Sequence, residues 1–338
     1  MTASSLYLFP LIAFCLALLV HYLIIDLSFR KGLFLDERDK IQKAHKGSTP
    51  RIGGLGIFLA ALFMVREQTL GVYLILSTIP VFLAGFLEDY SGKVSPLKRL
   101  AIMALGPLMV ILWVSQGIWM DWGFWKAGNA AGVILTILLL IGIANGINFI
   151  DGQNGLAGGS ALISLLAMLW ISRRQQDVEM NYLLLVMIAA ILAFLIFNYP
   201  KGKIFLGDSG AYLSGFLLAA LGILLVERHK GEVSPLLLPL LLIYPLWEVI
   251  FSTIRKILWD HISPFQSDKF HLHQLIYRNY GREKGYRPAL ILLPFQILLC
   301  VLGVLFFNDS LALSLFSLIF IAVYCLCYFY QHKRAIKK

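Results

Sequence analysis

Long apolar runs recur along almost the whole of this 338-residue chain, and they restrict its fold more than any other feature. Hydrophobic residues make up 59% of the sequence and charged residues only 14%, whereas a typical soluble domain contains about 25% charged residues. A run of roughly 17 to 25 apolar residues is long enough to cross a bilayer as a helix. The pattern predicts an all-α, polytopic integral membrane protein.

Eleven such runs can be counted, and the segments between them are too short to form a separate soluble domain. The sequence therefore predicts a single membrane domain over residues 1–338 with about 11 transmembrane helices. The runs cover about 5–25, 53–66, 70–87, 98–119, 130–147, 155–172, 180–198, 208–226, 235–256, 288–307 and 310–331. No internal repeat is visible in the sequence.

Basic residues are distributed unequally between the two sets of connecting segments that eleven spans would create. One set, which includes the C-terminal tail, carries 23 of the 29 Lys and Arg residues, and the other carries 6. Because positive charge accumulates on the cytoplasmic side of membrane proteins, this predicts an N-out, C-in orientation. The charge also favours an anionic substrate or lipid headgroup, whereas no nucleic-acid-binding module is recognisable.

Acidic, amide and histidine residues gather at span ends and in loops on the side predicted to be cytoplasmic. A carboxylate beside the bilayer is costly and usually functional. Four clusters stand out: "GFLEDYSGK" with Glu88 and Asp89, "NGINFIDGQNGLAGG" with Asn145, Asn148, Asp151 and Asn154, "FNYPKGKIFLGDSG" with Asn198 and Asp208, and "SPFQSDKFHLHQ" with Asp268, His271 and His273. Each cluster alone has a structural explanation, as a helix cap, an interhelical hydrogen bond or a solvated loop. Their position on one side favours a common site.

Carboxylates, amides, histidines and basic residues together are typical of a site for a metal-bound phosphate. Mg²⁺ takes oxygen ligands, commonly one or two carboxylates with substrate phosphates and water. Glycine-rich backbone at a helix start, as at 152–159 and 207–210, can present N–H groups to a phosphate. Phosphoryl transfer depends mainly on positioning and charge neutralisation. At a membrane surface, this combination predicts an enzyme with a lipid among its substrates.

Other functions match parts of the pattern. The motif Gly207-Asp208-Ser209-Gly210 occurs in trypsin-like proteases, but those are secreted β-barrels, which this hydropathy excludes. An intramembrane aspartyl protease would need glycine where Phe205 stands. A transporter for a phosphorylated lipid or nucleotide sugar stays an alternative, although the interrupted helices in repeated halves that are typical of transporters are not visible in the sequence.

Taken in order, the four clusters resemble those of the polyprenyl-phosphate N-acetylhexosamine-1-phosphate transferases, as does "TPRIGGLGIF" at 49–58. The resemblance runs from about Thr49 to Gly281 and favours the branch that initiates glycans over the phospho-MurNAc-pentapeptide translocases. It implies Mg²⁺-dependent transfer of N-acetylhexosamine-1-phosphate from a UDP-sugar to undecaprenyl phosphate, with release of UMP. The sugar stays open among GlcNAc, GalNAc, QuiNAc and FucNAc, and the mechanism stays open between one step and two covalent steps.

The resemblance also implies roles for individual residues. Asp208 and Asp151 match metal-binding positions, with Mn²⁺ as a substitute for Mg²⁺. Catalytic roles fall to Glu88, Asp89, Asp151, His271 and His273, and substrate-binding roles to Asn148, Asn154, Asn198, Phe205, Lys93 and Arg51. Three residues depart from the family pattern: Glu88 and Asn154 stand where aspartate is usual, and Gln274 stands where a third histidine is usual.

The active site that the resemblance implies is cytoplasmic and is built from segments at about 27–52, 88–99, 145–159, 198–210 and 257–287. The implied partners are a UDP-N-acetylhexosamine, undecaprenyl phosphate and membrane lipid, with no nucleic acid, and the chain is a candidate homodimer. The implied location is the cell inner (cytoplasmic) membrane, as a multi-pass protein. Its product, a lipid-diphospho-sugar, would start O-antigen-like lipopolysaccharide or cell-wall glycans.

Overall fold

A computed structural model describes residues 3–35, 49–114, 129–266, 268–281 and 284–336, and these residues form thirteen α-helices. They are α1 (Ala3–Lys31), α2 (Gly54–Ala61), α3 (Gln68–Ser91), α4 (Pro96–Val114), α5 (Asn129–Ile150), α6 (Leu156–Arg174), α7 (Val178–Asn198), α8 (Gly207–Arg228), α9 (Leu237–Leu241), α10 (Ile243–Leu258), α11 (Leu272–Tyr280), α12 (Arg287–Leu305) and α13 (Ser310–Ile336). A 3-10 helix over Leu62–Glu67 continues α2. Within the described ranges the only β-structure is two isolated bridges, which confirms the all-α prediction.

Nine helices in the described part of the chain are long and apolar enough to cross a membrane. They correspond to nine of the eleven predicted spans, and a polytopic membrane protein is therefore confirmed. The other two predicted spans fall on interrupted segments. The span at 53–66 is α2 with its 3-10 extension, and the span at 235–256 is divided between α9 and α10. The count of eleven and the N-out, C-in orientation stay predictions, and residues 36–48 of the predicted 27–52 segment lie outside the described residues.

Helix α8 forms the centre of the bundle. In its membrane-spanning window 94% of the residues are buried inside the protein, against 11% for α13. Small residues allow its neighbours to approach closely. A Cβ atom on Gly85 of α3 would lie 2.4 Å from the Ser209 backbone, and one on Gly54 of α2 would lie 2.3 Å from the Gly210 nitrogen. These contacts hold the first turn of α8 between α2 and α3.

A break at Leu242 separates α9 from α10 within an apolar region. The break frees the Leu241 carbonyl, which accepts hydrogen bonds from the Ser164 hydroxyl at 2.8 Å and the Gln296 amide at 2.5 Å. Interrupted helices are tolerated at membrane depth when neighbouring helices satisfy the freed backbone groups in this way. After the break, α10 carries Glu248 and Lys256 towards the polar end of the bundle.

Candidate active site

Asp208 lies in the first turn of α8, where the chain enters the helix through Gly207 with a positive φ of 73°. Glycine is required here because a Cβ atom would also lie 2.4 Å from the Arg51 carbonyl oxygen. The Asp208 side chain is only 11% exposed and is paired with two arginines. Arg99 donates from Nη1 to Oδ2, and Arg51 Nη2 lies 3.7 Å from Oδ1.

Two short pieces of chain bring these arginines to Asp208. Residues 50–54 run along 205–206, where Gly53 N donates to Phe205 O at 2.9 Å and Phe205 N donates to Pro50 O at 2.9 Å. This pairing fixes Arg51 beside the start of α8. On the other side, Pro96 occupies the first position of α4, a place that proline favours, and Arg99 follows in the same turn.

Asp89, at the end of α3, caps α8 from a neighbouring helix. Its carboxylate accepts hydrogen bonds from Asp208 N at 2.8 Å, Ser209 N at 2.9 Å and the Ser209 hydroxyl at 2.6 Å. These are donors that a helix start leaves unsatisfied, and a negative charge there interacts favourably with the helix dipole. Ser209 is thus bound to Asp89, whereas the adjacent Glu88 carboxylate accepts from Val94 N at 2.9 Å and borders the cleft described below.

The end of α5 adds amides and a third aspartate. Asn145 donates to Ile141 O in its own helix at 2.9 Å, and both Asn145 and Asn148 reach the cleft. Asp151 follows directly after the helix. Burial raises the pKa of Asp151 well above its usual range, and the negative charges of Asp208 and Asp89 raise it further, although Arg51 lowers it. Three carboxylates therefore interact around one point.

Asn154 and Asn198 join the two loops that follow α5 and α7. Asn154 donates from Nδ2 to Pro200 O at 2.8 Å, and Asn198 donates to Ile204 O at 2.8 Å. The Asn198 oxygen accepts from the nitrogen of Gly155, which has a φ of 80°. Both side chains are buried and lie outside the lining of the cleft. In this structure they fix the shape of the loops.

The two predicted histidines have different surroundings. His271 lines the cleft and contacts the carboxylate of Glu248. His273 is completely buried behind it, with Nδ1 at 3.3 Å from the Tyr244 hydroxyl. Burial lowers the pKa of His273 to about 3, although Glu248 opposes this shift. His273 is therefore neutral at physiological pH.

The loop between α10 and α11 is held against α10 by an ionic cluster. Asp268 pairs with Arg255 at 2.7 Å and with Lys256 at 3.2 Å. Burial raises the pKa of Asp268, but the charge of His271, the Phe270 N–H and Arg255 outweigh it and hold that pKa below its usual value. Lys256 also donates to the backbone oxygen of Gln266 at 2.7 Å. This cluster places the residues before His271 over the cleft.

The cleft itself has a volume of about 840 Å³ and two chemically different parts. Its polar part is lined by Arg51, Glu88, Arg99, Asn145, Asn148, Asp151, Asp208, Tyr212, Lys256, Gln266, His271 and Gln274. Its apolar part is lined by Leu100, Met103, Leu135, Leu138, Leu139, Leu246, Val249 and Ile250, from α4, α5 and α10. From the level of Leu135 to that of Asn148, α5 rises about 20 Å, so the cleft leads from the polar end deep along the membrane-spanning helices.

The structure thus brings six of the predicted site residues together in one cleft: Arg51, Glu88, Asn148, Asp151, Asp208 and His271. Asp89 caps α8, and the remaining five predicted residues lie outside the cleft. Asn154, Asn198 and His273 are buried. Phe205 forms a β-bridge with Arg51, and Lys93 is exposed on the loop after α3. Four further residues in or beside the cleft were not predicted from the sequence: Arg99, Tyr212, Glu248 and Lys256. Glu248 had a sequence signal, since an acidic residue within an apolar run is usually functional.

The residues of this cleft can be tested against the requirements of Mg²⁺. In the described ranges, no three His, Cys, Asp or Glu side chains are grouped closely enough to hold a metal ion alone. Mg²⁺ rarely needs such a group, because it keeps water ligands and binds through one or two carboxylates and substrate phosphates. Asp151 and Asp208 fit that requirement, since both line the cleft. Burial raises the pKa of Asp151 and the charge of Asp208 raises it further, and a cation between them would offset both effects.

Comparison with known proteins identifies the family. Residues 71–226 match the glycosyl transferase family 4. The undecaprenyl-phosphate alpha-N-acetylglucosaminyl 1-phosphate transferase of Thermotoga maritima is 30% identical over 274 residues, which is 81% of this chain and 82% of the relative. The chain therefore belongs to the polyprenyl-phosphate N-acetylhexosamine-1-phosphate transferase family, as its motifs predict.

Two further relatives support this membership. The probable undecaprenyl-phosphate N-acetylglucosaminyl 1-phosphate transferase of Bacillus subtilis is 30% identical over 78% of this chain and 75% of its own length. A phospho-N-acetylmuramoyl-pentapeptide-transferase of Streptococcus pneumoniae is 30% identical over 56% of this chain and 64% of its own length. The prediction of a membrane-bound transferase is thereby confirmed, and the individual residue roles stay predictions.

Proposed function

We propose that the protein transfers N-acetylhexosamine-1-phosphate from a UDP-sugar to undecaprenyl phosphate and releases UMP. The product is the undecaprenyl-diphospho-sugar that starts an O-antigen-like surface glycan. The proposal rests on the cleft, in which three basic side chains and two aspartates meet an apolar wall. Because the relatives from T. maritima and B. subtilis are named N-acetylglucosaminyl 1-phosphate transferases, UDP-GlcNAc is the first donor to test.

The basic residues counter the repulsion between two anionic substrates. Arg51, Arg99 and Lys256 line one cleft, and each is held by an acidic partner or backbone oxygens. Such pre-organised charges stabilise a transition state without further reorganisation. A phosphomonoester has a second pKa of about 6, so the lipid phosphate is largely dianionic at neutral pH. It can attack the sugar-linked phosphorus without a strong general base.

The apolar wall supports a polyprenyl acceptor. Leu138 and Ile250 are exposed on the faces of α5 and α10 that border the cleft. A polyprenyl chain lying there would remain in contact with the membrane interior while its phosphate reached Arg99 and Asp208. The two substrates would therefore meet at the boundary between the apolar and polar parts.

Asp151 and Asp208 are the residues that would hold Mg²⁺, or Mn²⁺ in its place. A divalent ion supplies charge stabilisation to the phosphate oxygens and to the UMP leaving group. The chain supports this by keeping Asp208 between two arginines and by fixing the start of α8 through Asp89. The arginines neutralise Asp208 in part, whereas the Asp151 carboxylate forms no ion pair among the described residues.

We infer that the cleft faces the cytoplasm from the inner membrane. The support is the excess of Lys and Arg in the predicted cytoplasmic segments, with 23 of the 29 basic residues. UDP-sugars would then reach the site directly from the cytoplasm. A homodimer is a separate prediction, and light scattering of the purified protein in detergent tests it.

The first test is an assay of UMP release. The purified protein receives undecaprenyl phosphate, Mg²⁺ and one UDP-N-acetylhexosamine at a time, from UDP-GlcNAc to UDP-GalNAc, UDP-QuiNAc and UDP-FucNAc. We expect release with one sugar, complete loss with EDTA and recovery when Mg²⁺ is restored. The lipid product is confirmed by mass spectrometry.

Two results would contradict the proposal. Release that needs no polyprenyl phosphate would indicate a hydrolase. Absence of release with every donor, from protein shown to be folded, would favour the transporter alternative, which a flux assay in vesicles then tests.

A further inference from the structure

Glu248 is a buried acid to which the motifs and the proposed chemistry assign no role. It lies in α10 with only 1% of its surface exposed. A carboxylate is costly to bury unless hydrogen bonds compensate it. It also lies outside the lining of the cleft, so any effect on the reaction has to pass through a neighbouring residue.

The Glu248 carboxylate accepts hydrogen bonds from α11, from the residue just before α11, and from α13. Oε1 accepts from His271 Nδ1 at 3.0 Å and from Leu272 N at 3.2 Å, and Oε2 accepts from the Tyr324 hydroxyl at 2.9 Å. His271 immediately precedes α11, and Tyr324 belongs to α13. Glu248 therefore links the cleft histidine and the start of α11 to α13.

These contacts determine which nitrogen His271 offers. An ionised carboxylate can only accept hydrogen bonds, so Nδ1 carries a hydrogen and Nε2 is the nitrogen left for the cleft. Nε2 lies 3.9 Å from Asp268 Oδ1. Phe149 packs edge-on against the ring at 5.2 Å, and His273 stacks on it at 5.6 Å with an interplanar angle of 13°. The ring is thus held from several directions.

We propose that Glu248 is a positioning residue, which holds the Nδ1–H of His271 so that Nε2 faces the diphosphate of the sugar donor. This inference rests on the proposed function. A second partner that fixes the tautomer and orientation of a histidine is a common requirement of metal sites and of hydrolase triads. Glu248 contributes through His271 and does not touch the substrate.

Kinetics of two variants test this role. Glu248→Gln keeps the size of the side chain and removes its charge, and we expect kcat to fall about 10- to 100-fold, with the KM for the UDP-sugar much less affected. Tyr324→Phe is the matched control, because it removes a hydrogen bond to Oε2 of Glu248 and leaves the contact of Oε1 with His271 in place. A kcat for Glu248→Gln no lower than that of Tyr324→Phe would overturn the proposal.

A double-mutant cycle separates positioning from general damage. In a His271→Gln background, Glu248→Gln should cause no further loss, because the residue through which it acts is absent. Losses that add independently would show that Glu248 acts elsewhere.

A spectrum that needs no turnover provides the decisive measurement. In protein labelled with ¹⁵N at the histidine rings, the His271 signal is assigned by its loss in His271→Gln. We expect a protonated Nδ1 in the wild type and a shift of this signal in Glu248→Gln. A bare Nδ1 in the wild type would overturn the proposal even if Glu248→Gln did not fold. Because the spectrum requires no substrate, failure of the transferase assay and failure of this inference are distinguishable.

Discussion

The two ends of α8 both carry aspartate–arginine pairs, but they differ in how completely the charges are compensated. At the C-terminal end, Asp177 caps α7 by accepting from Met180 N at 3.0 Å. Arg228 donates to both of its oxygens, at 2.6 Å and 3.0 Å, and His229 Nε2 lies 3.1 Å from Oδ2. Burial raises the pKa of Asp177, but the bonds from Arg228, Met180 and His229 outweigh it and lower that pKa below 3.8.

At the N-terminal end, three carboxylates influence one another. Asp208 has two arginines and Asp89 has three hydrogen-bond donors, but Asp151 forms no ion pair within the described residues. The pKa shifts accordingly have opposite signs, lowered for Asp177 and raised for Asp151. A compensated cluster stabilises the fold, whereas a buried carboxylate without an ion-pair partner in a cleft is typical of a site that receives a charged ligand.

The largest effect should come from the substitution of Asp208, with Asp177 as its counterpart at the other end of α8. We expect Asp208→Asn to lower UMP release by at least about 1,000-fold, because the cleft loses charge on which Mg²⁺ and both arginines depend. Asp177→Asn, at the opposite end of the same helix, should retain turnover within about threefold. Near-normal UMP release by folded Asp208→Asn protein would show that the charge cluster at the N-terminal end of α8 serves only the stability of the fold, like the cluster at the C-terminal end.

The arginines extend the comparison. Arg99→Gln should lower kcat about 100-fold, since it removes a positive charge from the cleft and a hydrogen bond to Asp208. Arg99→Lys should recover part of this loss, because lysine keeps the charge without the planar guanidinium. Arg228→Gln is the matched control and should lower the melting temperature in detergent while turnover is retained. Equal decreases in kcat for Arg99→Gln and Arg228→Gln would contradict the assignment of a catalytic role to the N-terminal end of α8 and a structural role to its C-terminal end.

Hydropathy and the positions of the polar residues were sufficient to predict the helical bundle and the gathering of Asp208, Asp151 and His271 in one place. Asp208 and Asp151 stand at span ends, where a polar side chain is conspicuous in the sequence, and His271 stands in the longest loop of the predicted cytoplasmic set. Arg99 was missed because its partner is 109 positions away and because one more basic residue in a basic loop carries no signal of its own. Pairing over such a distance depends on tertiary packing.

The division between cleft residues and supporting residues could not be predicted either. Asn154 and Asn198 are polar residues in the expected loops, yet they bind backbone groups of those loops. Asp89 and Glu88 are adjacent in sequence, but only Glu88 borders the cleft. Residues one position apart on a helix point about 100° apart, and the packing of α3 on α8 decides which of them faces the cleft.

The contribution of Asp177 to the stability of the folded protein should depend on pH. The pKa of Asp177 is lower in the folded protein than its ordinary value of 3.8, so its contribution is complete above about pH 4 and is lost as the pH falls through the folded value. At pH 7 we expect Asp177→Asn to melt about 5 °C lower than the wild type. The difference should be the same at pH 5.5 and should shrink at pH 3.5. A difference that grew on acidification would contradict this assignment.

The smallest expected effect concerns Ser209, the serine of the protease-like motif. Ser209→Ala removes one of three hydrogen bonds to Asp89 and leaves the two from backbone nitrogens. We expect a loss of about 1 kcal/mol of stability, about 1.5 °C in melting temperature, and a decrease in kcat of less than about tenfold. Ser91→Ala is the control, because its exposed hydroxyl donates to Leu87 O and accepts from Lys93 N at the end of α3, without contacting Asp89. Loss of turnover as large as that of Asp208→Asn would give the serine a direct part in the chemistry, whereas a purely thermal effect would show that the start of α8 needs its cap for stability.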